Sequence, residues 1–239
     1  MAYDLEVADR PLTLKPLPGE KRALFLLKLA LSLDGRIAFK RGGEPFYLTG
    51  SRSWKLVHRI RSQMDGVMVG AGTVRADNPR LDCRLVEGRN PWKIVVSAAG
   101  DLPDGLNIFE KEPEKTIIAV TGRIPPEKKE ILAEKGVSII ICREDEGQVD
   151  LHDLAVRLAE RGIDSILLEG GALLAASALK KKLVDRVIFF YAPLIIGGGN
   201  SVEGVGDLRA TSFSGIRLTN TEISRSGDDF LIDGYPSMV

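Results

Sequence analysis

Ile166-Leu167-Leu168-Glu169-Gly170-Gly171-Ala172-Leu173-Leu174-Ala175-Ala176-Ser177-Ala178-Leu179 is the stretch on which the reading of this chain turns. Its first three residues are an apolar run of strand type, and from Ala172 onward it is a strong helix former. Between them lies a glycine turn. Glycine takes positive φ without strain and, lacking Cβ, lets a ligand approach the main chain. The free N–H groups of the helix start face the same space, with the positive end of the helix dipole behind them. A phosphate or pyrophosphate suits such a seat. Glu169 sets a carboxylate beside it, able to accept from a hydroxyl or an amine. A plain strand-to-helix turn with one exposed acid is the other reading of the same residues. The spacing is not G-x-G-x-x-G, so the dinucleotide fingerprint is not claimed.

Outward from this turn, strands and helices alternate. Ala23 to Leu33 is a near-continuous apolar run, as a strand buried on both faces requires, interrupted by Lys28. Asp34-Gly35 reads as a hairpin-type turn into Arg36–Phe39, and Gly42, Gly43 and Pro45 as a loop. Ser51 is the expected cap of a helix from Arg52 to Gln63. Val67 to Val69 is a strand that runs into Gly70-Ala71-Gly72-Thr73, a second glycine-bearing junction. Further strands are read at Trp92–Ser97, Thr116–Val120, Val137–Cys142 and Arg186–Tyr191. Helices are read from Pro125 to Lys135 and, from its apolar spacing, over Leu151 to Arg161. After the Gly197–Gly199 run come strands near Ile216–Ile223 and Phe230–Asp233, joined as a hairpin by Ser226-Gly227-Asp228. The pattern predicts an α/β chain with a mostly parallel central sheet, antiparallel C-terminal strands and helices on both faces. Residues 1–20, with Pro11, Pro16 and Pro18, read as an extended arm, and 21–239 as a single domain.

Composition closes off several classes of function. The 33 basic and 33 acidic side chains cancel, which removes any electrostatic case for nucleic acid or an acidic membrane surface. No apolar run is long enough to span a bilayer, and the first residues lack a signal-peptide core. Cys83 and Cys142 stand far apart with no histidine at ligand spacing, so neither a disulfide framework nor a metal site is expected. The expectation is a cytoplasmic protein without a metal. His58 and His152 fall on helices with no acid or nucleophile at motif spacing and read as surface or packing histidines. There is no G-x-S-x-G elbow and no phosphate-binding loop of the P-loop type.

Ligands of a parallel sheet gather at the carboxyl ends of its strands. Lys28, Ser32 and Asp34 lie on or after one strand; Gly70, Gly72, Thr73 and Asp77 after another; Ser97, Thr121 and Arg123 end two more. Small residues along one edge suit a long ligand such as a dinucleotide, with Arg123 or a nearby lysine a candidate for a 2′-phosphate. Two phosphate-compatible turns without a nucleophile fit a reductase, since hydride chemistry belongs to the cofactor.

Two longer stretches narrow this. Lys28-Leu29-Ala30-Leu31-Ser32-Leu33-Asp34-Gly35-Arg36-Ile37-Ala38 resembles the opening signature of the pyrimidine reductases of riboflavin biosynthesis. Asp65 to Leu81, DGVMVGAGTVRADNPRL, resembles their second signature. Leu168–Gly171 and Pro193–Gly199 follow in the expected order, so the resemblance runs from Leu26 to Asp233. It implies a dihydrofolate-reductase-like three-layer fold, a homodimer, and NADPH-dependent reduction of a ribosylamino-pyrimidine 5′-phosphate to its ribityl form. By motif position Ala30, Thr73, Asp77, Ser97, Gly170 and Gly171 to Ser177, Ala172 and Leu173 among them, would meet the cofactor. Arg61, Leu81, Arg84 and Glu169 would meet the substrate, the arginines as clamps on its phosphate. Lys28 and Asp34 are the catalytic candidates, either a pair across the active edge or a structural ion pair. Pro45 and Tyr47 depart from the serine and tryptophan of bifunctional relatives. The H-x-E and P-C-x-x-C zinc signature is not in these residues, so no deamination is expected of them. A dihydrofolate or other pteridine reductase, and a catalytically silent nucleotide-binding protein, are the rival readings.

Overall fold

The computed structural model describes residues 3–7, 10–14, 21–39, 47–198, 201–208 and 215–238. The expected loop at Gly42, Gly43 and Pro45, and Gly199, lie outside them. Within the N-terminal stretch, β1 (Tyr3–Val7) and β2 (Arg10–Leu14) form a two-stranded antiparallel ladder, Tyr3 opposite Leu14.

A nine-stranded sheet organises the rest. Its interior strand β3 (Leu24–Ser32) is apolar on both faces. Leu24 and Leu26 point into one core, and Phe25, Leu27, Leu29 and Leu31 into the other, so the near-continuous run the sequence shows is what double burial demands. After β3 come β4 (Arg36–Phe39), α1 (Ser51–Gln63), β5 (Gly66–Gly70) and α2 (Ala71–Asp77). Then follow β6 (Trp92–Val96), α3 (Asn107–Glu110), β7 (Thr116–Val120), α4 (Pro126–Glu134) and β8 (Ser138–Ile141). A small ladder of β9 (Glu144–Asp145) and β10 (Gln148–Val149) leads into α5 (Leu151–Ala159), β11 (Ser165–Glu169) and α6 (Ala172–Lys180). The chain closes with β12 (Val184–Ala192), β13 (Ser201–Glu203), β14 (Ile216–Ser226) and β15 (Asp229–Met238).

The strand order is β14-β15-β12-β3-β11-β5-β6-β7-β8, parallel from β12 to β8 and antiparallel at β12–β15 and β15–β14. Apolar residues of α1, α2 and α4 pack on one face and those of α5 and α6 on the other. This is the expected three-layer arrangement.

Two local expectations are corrected. Arg36–Phe39 is a strand, but it pairs with β13 rather than folding back on β3. The cause is at the turn: the Asp34 carboxylate accepts from the N–H groups of Ile196 (3.0 Å) and Gly197 (2.7 Å), tying the chain to the loop after β12. Ser51 is the first residue of α1, and the cap is Gly50, which uses no side chain of its own. Asp229 on β15 does that work, accepting from Gly50 N (2.8 Å) and Ser53 Oγ (2.5 Å).

Candidate active site

Parallel pairing places β11 between β3 and β5, so the turns that follow β11 and β5 are neighbours. Gly170 and Gly171 have φ of 70° and 85°, which L side chains rarely adopt. A Cβ on Gly171 would come to 3.0 Å from Thr73 Oγ1, which ties the two turns together. Neither α2 nor α6 has a side-chain cap, so their opening N–H groups are left to other acceptors. A Cβ on Gly72 would meet nothing within 4 Å, so the main chain there is open to a ligand. Ser97, at the end of β6, is buried beside this pair of turns, while Asp77 and Leu173 are exposed. Main chain without side-chain cover, next to two uncapped helix starts, suits the diphosphate of a nicotinamide nucleotide. Arg123, the candidate for a 2′-phosphate, pairs instead with Glu144 (2.8 Å) and donates to Gly147 O.

On the α1 side of the same edge, Arg61 and Glu169 are buried and Lys28 is half-buried. Lys28 on β3 is in register with Glu169 on β11, and in a parallel ladder registered residues share a face. Glu169 accepts from Arg61 Nε (2.7 Å) and Arg61 Nη2 (2.8 Å), a two-point pair between α1 and β11. Arg61 Nη1 also donates to Asp82 O (3.1 Å). Burial would push the Glu169 carboxyl up, but the Arg61 guanidinium outweighs it and holds the acid below its ordinary range. Burial lowers the Lys28 ammonium; Glu169 opposes that and Arg61 adds to it. The Lys28 Nζ also lies 5.5 Å from the centre of the Phe190 ring. Leu81, at φ 56°, buries its side chain while turning the chain so that Asp82 O meets Arg61. Arg84, 41% exposed, pairs with Asp82 at 2.6 Å. Ala30, two residues past Lys28 on the same face, is half-buried.

The structure thus brings together Lys28, Arg61 and Glu169, with Arg84 at their rim. It does not bring Lys28 to Asp34. The Asp34 carboxylate is committed to Ile196, Gly197 and Ser32 Oγ (2.7 Å), and these donors, Ile196 first, hold it at about 2. Arg61 is no free clamp, because its guanidinium is spent on Glu169. Sequence reasoning gave His58 no role beyond that of a surface or packing histidine; it is fully buried on α1 one turn before Arg61. Its place on the apolar face of a helix, three residues before a buried arginine, was the available signal. Among the described residues no group of three or more His, Cys, Asp or Glu could hold a metal ion, and no helix is long and apolar enough to cross a membrane.

Glycine turns open to a nucleotide and buried polar groups meet at the carboxyl edge of a mostly parallel sheet, as a nucleotide-dependent reductase requires. Comparison with known proteins bears this out and narrows it. The RibD C-terminal domain family matches residues 24–232. The 2,5-diamino-6-ribosylamino-4(3H)-pyrimidinone 5′-phosphate reductase of Methanothermobacter thermautotrophicus is 35% identical over 222 residues, 89% of this chain and 97% of that protein. The reductase of the same name from Aquifex aeolicus is 34% identical over 189 residues, 78% and 84% of the two chains. Among solved structures, Acinetobacter baumannii RibD superposes with a TM-score of 0.77 at 25% identity, covering 91% of this chain and 59% of that one. The chain belongs to the RibD C-terminal domain family, and with it to the oxidoreductases of riboflavin biosynthesis.

Proposed function

We propose that the protein reduces the ribosyl group of a ribosylamino-pyrimidine 5′-phosphate to ribityl, with NADPH as the reductant. The observation that carries this reading is one edge with two halves. Uncapped glycine turns after β5 and β11 adjoin the buried Glu169–Arg61 pair and the half-buried Lys28, with Arg84 at the rim. Gly170 to Leu173, Thr73, Asp77, Ala30 and Ser97 are the residues assigned to the nucleotide. When bound, the nicotinamide supplies the hydride taken by C1′ of the opened sugar.

The chain's own residues do the rest. Glu169, held in place by Arg61, accepts from an amino group of the pyrimidine or from ribose hydroxyls. Arg84 exchanges Asp82 for the 5′-phosphate, a trade favoured by the phosphate's higher charge. Leu81, its side chain packed in the core, holds the turn beside the pyrimidine side. Opening the ribosylamine ring needs a proton at the ring oxygen as the C1′–O bond breaks. Lys28 is assigned that donation, because its lowered basicity eases release of a proton. Asp34 is assigned to hold the loop after β12 rather than to the chemistry. A homodimer in the cytoplasm completes the reading.

The test is NADPH oxidation with the aminated and the deaminated ribosylamino-pyrimidine phosphates, with NADH and dihydrofolate alongside. Turnover of one pyrimidine with a ribitylamino product and no ammonia release is expected. Turnover of dihydrofolate alone would replace this reading with a pteridine reductase, and binding of NADPH without any turnover would replace it with a silent nucleotide-binding protein.

A further inference from the structure

His58 has no part in the chemistry just proposed, yet it lies one helical turn from Arg61, which bonds both Glu169 and Asp82. Its ring is fully buried, 6.3 Å from the Trp54 ring on the same helix, and one turn from Arg61. Neither Nδ1 nor Nε2 has a hydrogen-bond partner among the described residues. Burial and then the charges of Arg61 and Arg84 push the imidazole down to about 4, with Glu169 and Asp82 opposing. The ring is therefore neutral near pH 7, with one N–H to donate and one lone pair to accept. Leaving both unmade in a protein interior is costly, and an apolar side chain would fill the same space without that cost.

The groups whose charges reach His58 are Arg61, Glu169, Asp82 and Arg84, the walls of the substrate side. Two of them form the Asp82–Arg84 pair, whose arginine is partly exposed and whose exchange for a phosphate is cheap. A cationic partner here would be repelled by Arg61 and Arg84; a neutral imidazole is not. We propose that His58 is a substrate-contacting residue, its ring nitrogens meeting polar atoms of the bound ribosylamino-pyrimidine phosphate once that ligand draws Arg84 from Asp82. This inference rests on the substrate class proposed above.

Turnover by the unaltered enzyme is measured first, so that failure there counts against the substrate class and not against His58. The chain has two histidines, and His152 on α5 is exposed and serves as an internal reference. With 15N-labelled histidine, adding the stable ribitylamino-pyrimidine phosphate product should move the ring nitrogens of His58 and leave those of His152 in place. His58→Phe should raise KM by about tenfold or more, the scale of one lost hydrogen bond to a charged ligand. It should leave NADPH affinity unchanged and raise the melting temperature, because two unpaired buried atoms are gone. His58→Gln should recover part of the KM. Ring signals that stay fixed at saturating product, or His58→Phe with an unchanged KM, overturn the proposal. Should His58→Phe not fold, the spectra of the unaltered protein decide alone.

Discussion

The two halves of the edge are built from different material. The half around Gly70–Thr73 and Gly170–Ala172 is main chain: positive φ angles, uncapped helix starts and an absence of Cβ. The half around Lys28, His58, Arg61 and Glu169 is side chain: charges and one neutral ring under little solvent. Main chain can hold a ligand that many proteins share, since every residue has an N–H. A side-chain network recognises a particular ligand, and it couples recognition to stability because each member is buried at the expense of its neighbours. Substitutions in the first half should therefore act mostly on cofactor binding, and in the second on stability and substrate together.

The sharpest break is expected at Arg61. Removing one partner of a buried ion pair leaves the other charge unpaired, at about 3–5 kcal/mol. Arg61→Met should lower the unfolding free energy by that order and abolish substrate use. The double variant Arg61→Met, Glu169→Gln should recover much of the stability and none of the activity. Urea unfolding of the single and double variants measures both. Equal stability of the single variant and the unaltered protein would mean that the two halves do not differ in kind.

Acid should separate the halves next. His58 titrates at about 4 in the folded chain, against 6.5 when free. The unfolded state then binds more protons in that window, so stability falls as pH drops from 6.5 toward 4. The charges of Arg61, Arg84, Glu169 and Asp82 act on the ring, and their net effect is contained in the shift. At pH 5 the loss is on the order of 2 kcal/mol, taking one pKa unit as about 1.4 kcal/mol. His58→Phe should flatten this part of the stability profile, while Gly72→Ala should leave it as it was. Unfolding midpoints between pH 7 and 4 check the difference.

Much of the first half was legible in sequence and much of the second was not. A parallel strand buried on both faces must read as an apolar run, and two successive positive φ angles strongly favour Gly, so β3, β11 and the turn at Gly170–Gly171 were visible. Side-chain pairing depends on which strands become neighbours, and the insertion of β11 between β3 and β5 has no local signature. Lys28 was therefore matched with Asp34 along the chain, whereas its neighbour across the sheet is Glu169. The short strands β1, β2, β9, β10 and β13 escaped for a related reason. They exist by virtue of their pairing partners, and hydrophobic periodicity is weak over two to five residues.

Gly171 shows how one residue serves two ends. Its φ of 85° and the 3.0 Å approach of Thr73 Oγ1 make glycine necessary for the turn before any ligand arrives. Gly171→Ala should thus cost about 1–2 kcal/mol in stability. Loss of NADPH affinity in that variant alone would not separate strain from lost ligand space. Adding Thr73→Ala removes the hydroxyl contact and leaves the φ penalty. If the double variant binds NADPH more weakly than Thr73→Ala alone while part of the stability returns, the main chain of the turn is what the cofactor needs. Calorimetry and NADPH fluorescence titration on the same samples give both numbers.

The smallest effect is the most discriminating. Gly72 is the second residue of α2, its φ is not positive, and a Cβ there meets nothing within 4 Å. Alanine in an exposed helix is favoured over glycine by roughly 0.5–1 kcal/mol. Gly72→Ala should therefore stabilise the protein slightly, with no strain to relieve and no neighbour to displace. A nucleotide lying against that bare main chain would meet the new methyl group, so NADPH affinity should fall several-fold while KM for the pyrimidine is unchanged. The two signs oppose each other, and no general loosening of the fold gives that combination. A stabilised variant with unaltered NADPH affinity would mean that the open surface at Gly72 is only solvent-facing, and would confine the nucleotide to the turn after β11.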